Sequence, residues 1–192
     1  MRKTVLGASL AVLLAALAGC GQPPAQAATE EPVYAANVVA LSGAISAART
    51  LAAGKVYYLA DTVYVGTGAS LTIEPGAILK FGAAGALVIE SGGTLIANGS
   101  AAAPIVFTSI RDSSAGGDSI LNDAAAAAAR GDWRYVWTGV GSLSNSLSYC
   151  EFRYGGANKE AVLSVDGASR VDHCVFRDNR GIWESIDGLP IN

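Results

Sequence analysis

The chain has 192 residues, room for one compact domain or one short repeat array and too few for two ordinary domains with separate cores. Its composition, 51% apolar and only 15% charged, excludes a disordered chain, while 23 glycines against 7% aromatics point to many turns rather than large helices. A formal net charge of −3 excludes a basic nucleic-acid-binding surface.

The first segment, Met1 to Cys20, reads as an export signal. Arg2 and Lys3 form a positive start, Val5 to Ala18 an apolar stretch, and Leu17-Ala18-Gly19-Cys20 a small-residue exit. The apolar stretch, about 14 residues, is shorter than the roughly 20 that cross a bilayer; a transmembrane anchor or buried helix is the alternative. Leu17-Ala18-Gly19-Cys20 resembles the lipobox of bacterial lipoproteins. The resemblance implies that residues 1–19 are removed, that Cys20 is lipidated, and that the protein is held at the outer membrane or cell surface by an N-terminal lipid anchor with more than one acyl chain. Removing Arg2 and Lys3 leaves 11 basic against 16 acidic side chains, a charge of −5. Residues 20–37 then form the lipidated N-terminus and a flexible tether, since Gln22 to Pro32 is rich in Pro, Ala, Gln and Glu and has no apolar period.

From Val38 onward, short apolar runs alternate with turn signals. The runs are Val38 to Leu41, Val56 to Leu59, Thr62 to Val65, Leu71 to Ile73, Ile78 to Phe81, Leu87 to Ile89, Thr94 to Ala97 and Ile105 to Thr108. They are too short for helices, and Gly66-Thr67-Gly68, Glu74-Pro75-Gly76, Ser91-Gly92-Gly93 and Asn98-Gly99 punctuate them. At an offset of 24, Val39, Val63 and Leu87 align, as do Leu71 with Leu95 and Cys150-Glu151-Phe152-Arg153 with Cys174-Val175-Phe176-Arg177. An offset of 16 matches Leu71-Thr72-Ile73-Glu74 to Leu87-Val88-Ile89-Glu90, as neighbouring sheets sharing one turn grammar would. Short strands that return at a fixed period without crossover helices make a coil, each strand stacking on its equivalent one turn later at about 4.8 Å. Residues 38–192 are therefore predicted to be an all-β solenoid, a parallel β-helix, with a loop inserted at 109–132. A sandwich of short antiparallel strands is the alternative.

Several segments resemble recurrent pieces of bacterial right-handed parallel β-helix proteins with a pectin-lyase-like fold. They are Gly68 to Phe81, Gly93 to Gly99, Pro104 to Ser109, Gly131-Asp132-Trp133, and Tyr149 to Gly156. The resemblance spans residues 38 to 181 and implies a right-handed coil in an extracytoplasmic setting. It leaves activity open, because that group mixes lyases, hydrolases and adhesins. After Trp183 no polar cap is recognisable. An open stack exposes unpaired backbone, so either Glu184 to Asn192 folds over the last coil or the helix is incomplete at its C-terminus; incompleteness is the expectation.

The inserted loop gathers Asp112, Asp118, Asn122, Asp123 and Asp132, hard oxygen ligands that suit Ca²⁺, although no EF-hand spacing is present. A solvated polar loop, with Asn122 or Asp123 capping a short run of alanines, is the competing reading. Pectate-lyase-like chemistry, as the resemblance implies it, would use calcium to acidify a sugar proton and Arg or Lys to remove it. Lys80, Arg111, Arg134, Arg153 and Arg177 are candidates, but no family catalytic motif surrounds any of them, so the catalytic residues are unassigned. Two facing carboxylates for glycoside hydrolysis would fall to Glu74 and Glu90, but Glu74 belongs to the Glu74-Pro75-Gly76 turn motif and reads as a turn residue.

If Cys150, Phe152, Cys174 and Phe176 point inward, Glu151, Arg153, Val175 and Arg177 point outward. The cysteines then pack as stacked thiols in preference to a disulfide, which an exported protein would permit. Arg153 and Arg177 would stand about 5 Å apart and either hold an acidic glycan between them or pair with Glu151, Asp172 or Asp178. Trp133, Tyr135 and Trp137 alternate and so should share one face, core in preference to sugar-stacking surface. Trp137, Arg153 and Arg177 are the carbohydrate-binding candidates. The function expected is a lipid-anchored cell-surface β-helix that binds or displays, contacting polysaccharide without catalysis. The alternative is a calcium-dependent pectate-lyase-like enzyme on acidic polysaccharide.

Overall fold

The computed structural model describes residues 33–120, 127–157 and 161–180. Cys20, the signal at 1–19, most of the tether, Asn122, Asp123 and the 184–192 tail lie outside the described residues. Among the described residues no helix is long and apolar enough to cross a membrane.

Among the described residues, sixteen short strands form three parallel sheets in which every neighbour is one coil away. The first sheet holds β1 (Val38–Ala40), β4 (Val56–Leu59), β7 (Ile78–Phe81), β10 (Ile105–Ser109), β13 (Cys150–Arg153) and β16 (Val175–Arg177). The second holds β2 (Ala44–Ile45), β5 (Thr62–Val65), β8 (Ala86–Ile89), β11 (Val136–Thr138) and β14 (Leu163–Val165). The third holds β3 (Arg49–Leu51), β6 (Ser70–Ile73), β9 (Thr94–Asn98), β12 (Asn145–Ser148) and β15 (Ser169–Asp172). This is the parallel β-helix that the repeats implied, three strands and three turns to a coil.

The expected register holds where it rests on strong repeats. Val63 pairs with Leu87, Leu71 with Leu95, and Phe152 with Phe176. It fails in the first coil: Val39 pairs with Tyr57 in the first sheet, whereas Val63 belongs to the second. The first coil is shorter because β2 and β3 contribute just one sealed inward side chain each, Ile45 and Leu51. The offset of 16 relates β6 to β8, strands of two different sheets, as the shared turn grammar suggested.

The interior is a stack of apolar rungs. Tyr57, Leu79, Phe107 and Phe152 lie one above the other in the first sheet and are buried, with Phe176 partly buried above them. Their rings stack in parallel: Phe107 on Phe152 at 4.6 Å and Phe152 on Phe176 at 5.0 Å between centroids. Cys150 is buried in the same face and Cys174 partly so, both as free thiols, which is the packing role preferred from the sequence.

The turns stack as well. Between the second and third sheets, Gly68, Gly92 and Gly141 succeed one another, the amide of Gly68 donating to the Gly92 carbonyl (2.9 Å) and that of Gly92 to Gly141 (2.8 Å). All three have φ between 76° and 81°, the left-handed region where glycine carries no side-chain penalty. At the corner from the third sheet to the first, single residues make the turn: Tyr149 and His173 sit at φ 48° and 50° with rings stacked at 4.5 Å.

Candidate functional site

A coil of this kind exposes three outer faces, and the structure treats them differently. On the first sheet the outward column runs Tyr58, Lys80, Thr108, Arg153, Arg177. A lysine there should reach solvent, yet Lys80 and Thr108 are fully buried. The inserted loop explains it, because its first part lies flat across the sheet. Lys80 Nζ donates to the carbonyls of Asp112 (2.8 Å) and Gly117 (2.7 Å). Farther along, Ile120 bridges antiparallel to Tyr34, whose ring packs on Tyr58. Burial lowers the Lys80 pKa, against the opposing pull of Asp112 and Asp118.

Asp112, first on the calcium list, is the pivot of that seal. Its Oδ2 accepts from Thr108 Oγ1 (2.7 Å) and Arg153 (3.3 Å), and its Oδ1 from the Ser114 amide (3.0 Å) and hydroxyl. Four donors fill the lone-pair sites of a carboxylate. Burial alone would raise this carboxyl's pKa, but the bonds from Ser114 and Thr108 and the charge of Arg153 hold it below the usual range. Asp132 is turned elsewhere, accepting from Ser109 Oγ (2.7 Å) and the Ala129 amide (3.0 Å), and Asp118 accepts from the Ile120 amide. Among the described residues, no three His, Cys, Asp or Glu side chains gather as a cation would need.

Arg153 and Arg177 do stack one coil apart. The anion between them is the protein's own: Glu151 pairs with both, and Arg177 also reaches Asp178 at 3.6 Å. Burial would raise the Glu151 carboxyl, and the two arginines more than reverse that. The remaining base candidate on the second sheet's side, Arg134, lies over the Tyr135 ring at 4.7 Å and donates to its hydroxyl at 2.9 Å. Glu74 has a turn role, accepting from the Ala53 amide at 2.8 Å.

The second sheet presents a different outer face. Trp133, Tyr135 and Trp137 do not share a side, contrary to the alternation expected from the sequence. Trp133 is sealed in the core, stacked 4.2 Å from Phe81, its indole N–H donating to the Arg153 carbonyl at 2.7 Å. Val136, three residues on, is also inward and fully buried. Two inward residues three apart need a break in the extended backbone between them, and β11 begins only at Val136. That break turns Tyr135 and Trp137 outward.

Trp137 stands in register with Val88 and Ser164, and Val88 with Tyr64. The result is an outer column of Tyr64, Val88, Trp137 and Ser164, in which Val88 is covered and Tyr64 is exposed. Tyr135, Trp137, Ala161, Ser164 and Asp166 line an open groove of about 380 Å³. The Trp137 indole N–H donates to Asp166 Oδ2 at 2.6 Å, which ties the ring to the groove's carboxylate. Asp166 and Ser164 escaped sequence reading: Asp166-Gly167 carries only a turn signal, and Ser164 only becomes visible once its register with Trp137 is known. A second groove of about 420 Å³ runs along the third sheet past Asn98, Ser146, Ser148, Arg170 and Asp172. Its polar groups bond to one another, with Asn98 Oδ1 accepting from Ser146 and Ser148 and Arg170 paired to Asp172.

A family model described as a pectate-lyase like beta helix domain matches residues 43–169. No curated protein and no solved structure matches the chain.

Proposed function

The chain belongs to the pectate-lyase-like β-helix domains, and from that premise we propose that it is a non-catalytic polysaccharide-binding protein, displayed at the cell surface by a lipid on Cys20. The observation that carries the reading is the outward pair Tyr135 and Trp137 beside Asp166 on the second sheet. A flat aromatic face takes up the apolar side of a sugar ring, and a neighbouring carboxylate and hydroxyl accept and donate bonds to its hydroxyls. An outer column that repeats at the coil spacing suits a chain ligand, because successive residues of a polymer can meet successive rungs. Three of the five bases considered from the sequence favour binding over turnover: Lys80 is enclosed beneath the loop, and Arg153 and Arg177 are neutralised by Glu151.

Affinity electrophoresis through gels containing neutral and acidic polysaccharides tests the binding. At least one polymer should retard the protein, Trp137→Ala should abolish the retardation, and Arg177→Ala should leave it. Unretarded migration in every gel overturns the reading, as does a rise in unsaturated-product absorbance on polygalacturonate. Incorporation of labelled fatty acid that disappears in Cys20→Ala tests the anchor.

A further inference from the structure

We propose that Cys150 and Cys174 are a site of disulfide formation that clasps β16 to β13. Glu151 pairs with Val175 in parallel register, so the two cysteines occupy the adjoining rung. In-register neighbours on parallel strands stand about 4.8 Å apart at Cα, inside the window of about 4.4–6.8 Å that a disulfide bridges. Both side chains enter the same face. Cys150 Sγ reaches the Ala97 carbonyl at 3.2 Å and Cys174 Sγ the Leu147 carbonyl at 3.7 Å, and Ala97 and Leu147 are themselves in register one coil apart.

The pair is also unequal in the way that exchange requires. Cys150 is sealed and Cys174 partly open. The hydrogen bond to Cys174, together with burial, pushes the Cys150 thiol up, while accepting that bond lowers Cys174. Because an oxidant can reach the partly open Cys174 and not the sealed Cys150, Cys174 is the attacking thiolate and Cys150 the resolving thiol. The oxidant is a small-molecule or protein disulfide. The Cys174 thiolate attacks one of its sulfurs, forming a mixed disulfide and releasing one thiolate, which takes a proton. Cys150 then gives up its proton and displaces the second thiolate from Cys174. Two protein thiols have lost two electrons and two protons, and the oxidant has become two thiols. The gain is local: Val175 is exposed beside Cys174, so the strand that the bond would secure has less packing than those below it.

Peptide mapping reads the outcome directly. Trypsin places Cys150 in the peptide 135–153 and Cys174 in 171–177, so a bond between them appears as one linked species. Purified full-length protein is incubated with oxidised glutathione, alkylated, and digested without reduction. The linked peptide should accumulate and vanish after dithiothreitol. Complete alkylation of both cysteines, a glutathione adduct that persists on Cys174, or a link from either to Cys20 would each overturn the proposal.

Discussion

Lys80→Met removes the charge that holds the inserted loop on the first sheet while keeping the length and apolar stem of the side chain. Lys80 makes two charge-assisted bonds to backbone carbonyls, together about 3–6 kcal/mol at about 1.5–3 each. Those values are already net of solvation, and two bonds made by one ammonium are not additive, so the loss is about 2–3 kcal/mol. The carbonyls of Asp112 and Gly117 lose their Lys80 donor, while the Asp112 carboxylate keeps its ion pair with Arg153. The loop should therefore lift more often than the coil unfolds. At about 1.4 kcal/mol per decade, the open population rises about 30- to 100-fold when opening is fast relative to cleavage. Limited trypsin digestion reads this at Arg111, whose side chain is 46% exposed at the start of the loop. Urea denaturation supplies the global loss. A variant that loses less than about 0.5 kcal/mol, the noise of an ordinary surface substitution, and is cut at Arg111 no faster would refute the sealed-face argument.

Phe107→Ala breaks a fully buried ring stack between Phe81 and Phe152 and should cost about 3–5 kcal/mol in chemical denaturation. Asn145→Ala strands the buried Leu95 amide, which donates to Asn145 Oδ1 at 2.9 Å; a loss of about 1–3 kcal/mol is expected by the same assay. Acid should weaken the fold through Asp112 and Glu151, whose folded-state pKa values lie below the ordinary ones. As pH falls the unfolded chain takes up protons first, so their contribution is full above about pH 5 and drains as pH drops through the folded-state values. Asp112→Asn should flatten that acid limb in denaturation midpoints measured against pH.

The coil was legible in the sequence where two large inward side chains recur in a strong repeat, as in β5, β6, β8 and the Cys-x-Phe ladder through β13 and β16, but not in β14, although it also buries Leu163 and Val165. Strands β2 and β3 were not, because Ile45 and Leu51 each stand alone and a period of two needs more than one inward residue to be counted. The outer faces were harder still. Lys80 on a strand reads as solvated, and only the loop's path from a distant part of the chain buries it. The offset of 24 places Arg177 over Arg153, as the structure does, but which carboxylate pairs with them depends on side-chain reach that the repeat does not encode. Trp137 was singled out, but its side was misassigned since the count began from Trp133 across an irregular backbone step. Asp166 had no signal of its own, for its partner Trp137 lies one coil away.

Tryptophan oxidation by a low dose of N-bromosuccinimide, mapped by peptide mass, tests the assignment of the second sheet's outer face and its use. Trypsin separates Trp133, in the peptide 131–134, from Trp137, in 135–153. Trp137 should oxidise readily in the free protein and be protected by a saturating polysaccharide, while Trp133, with no exposed surface, resists throughout. Equal oxidation of the two rings, or a bound polysaccharide that leaves Trp137 as reactive as before, would contradict the account.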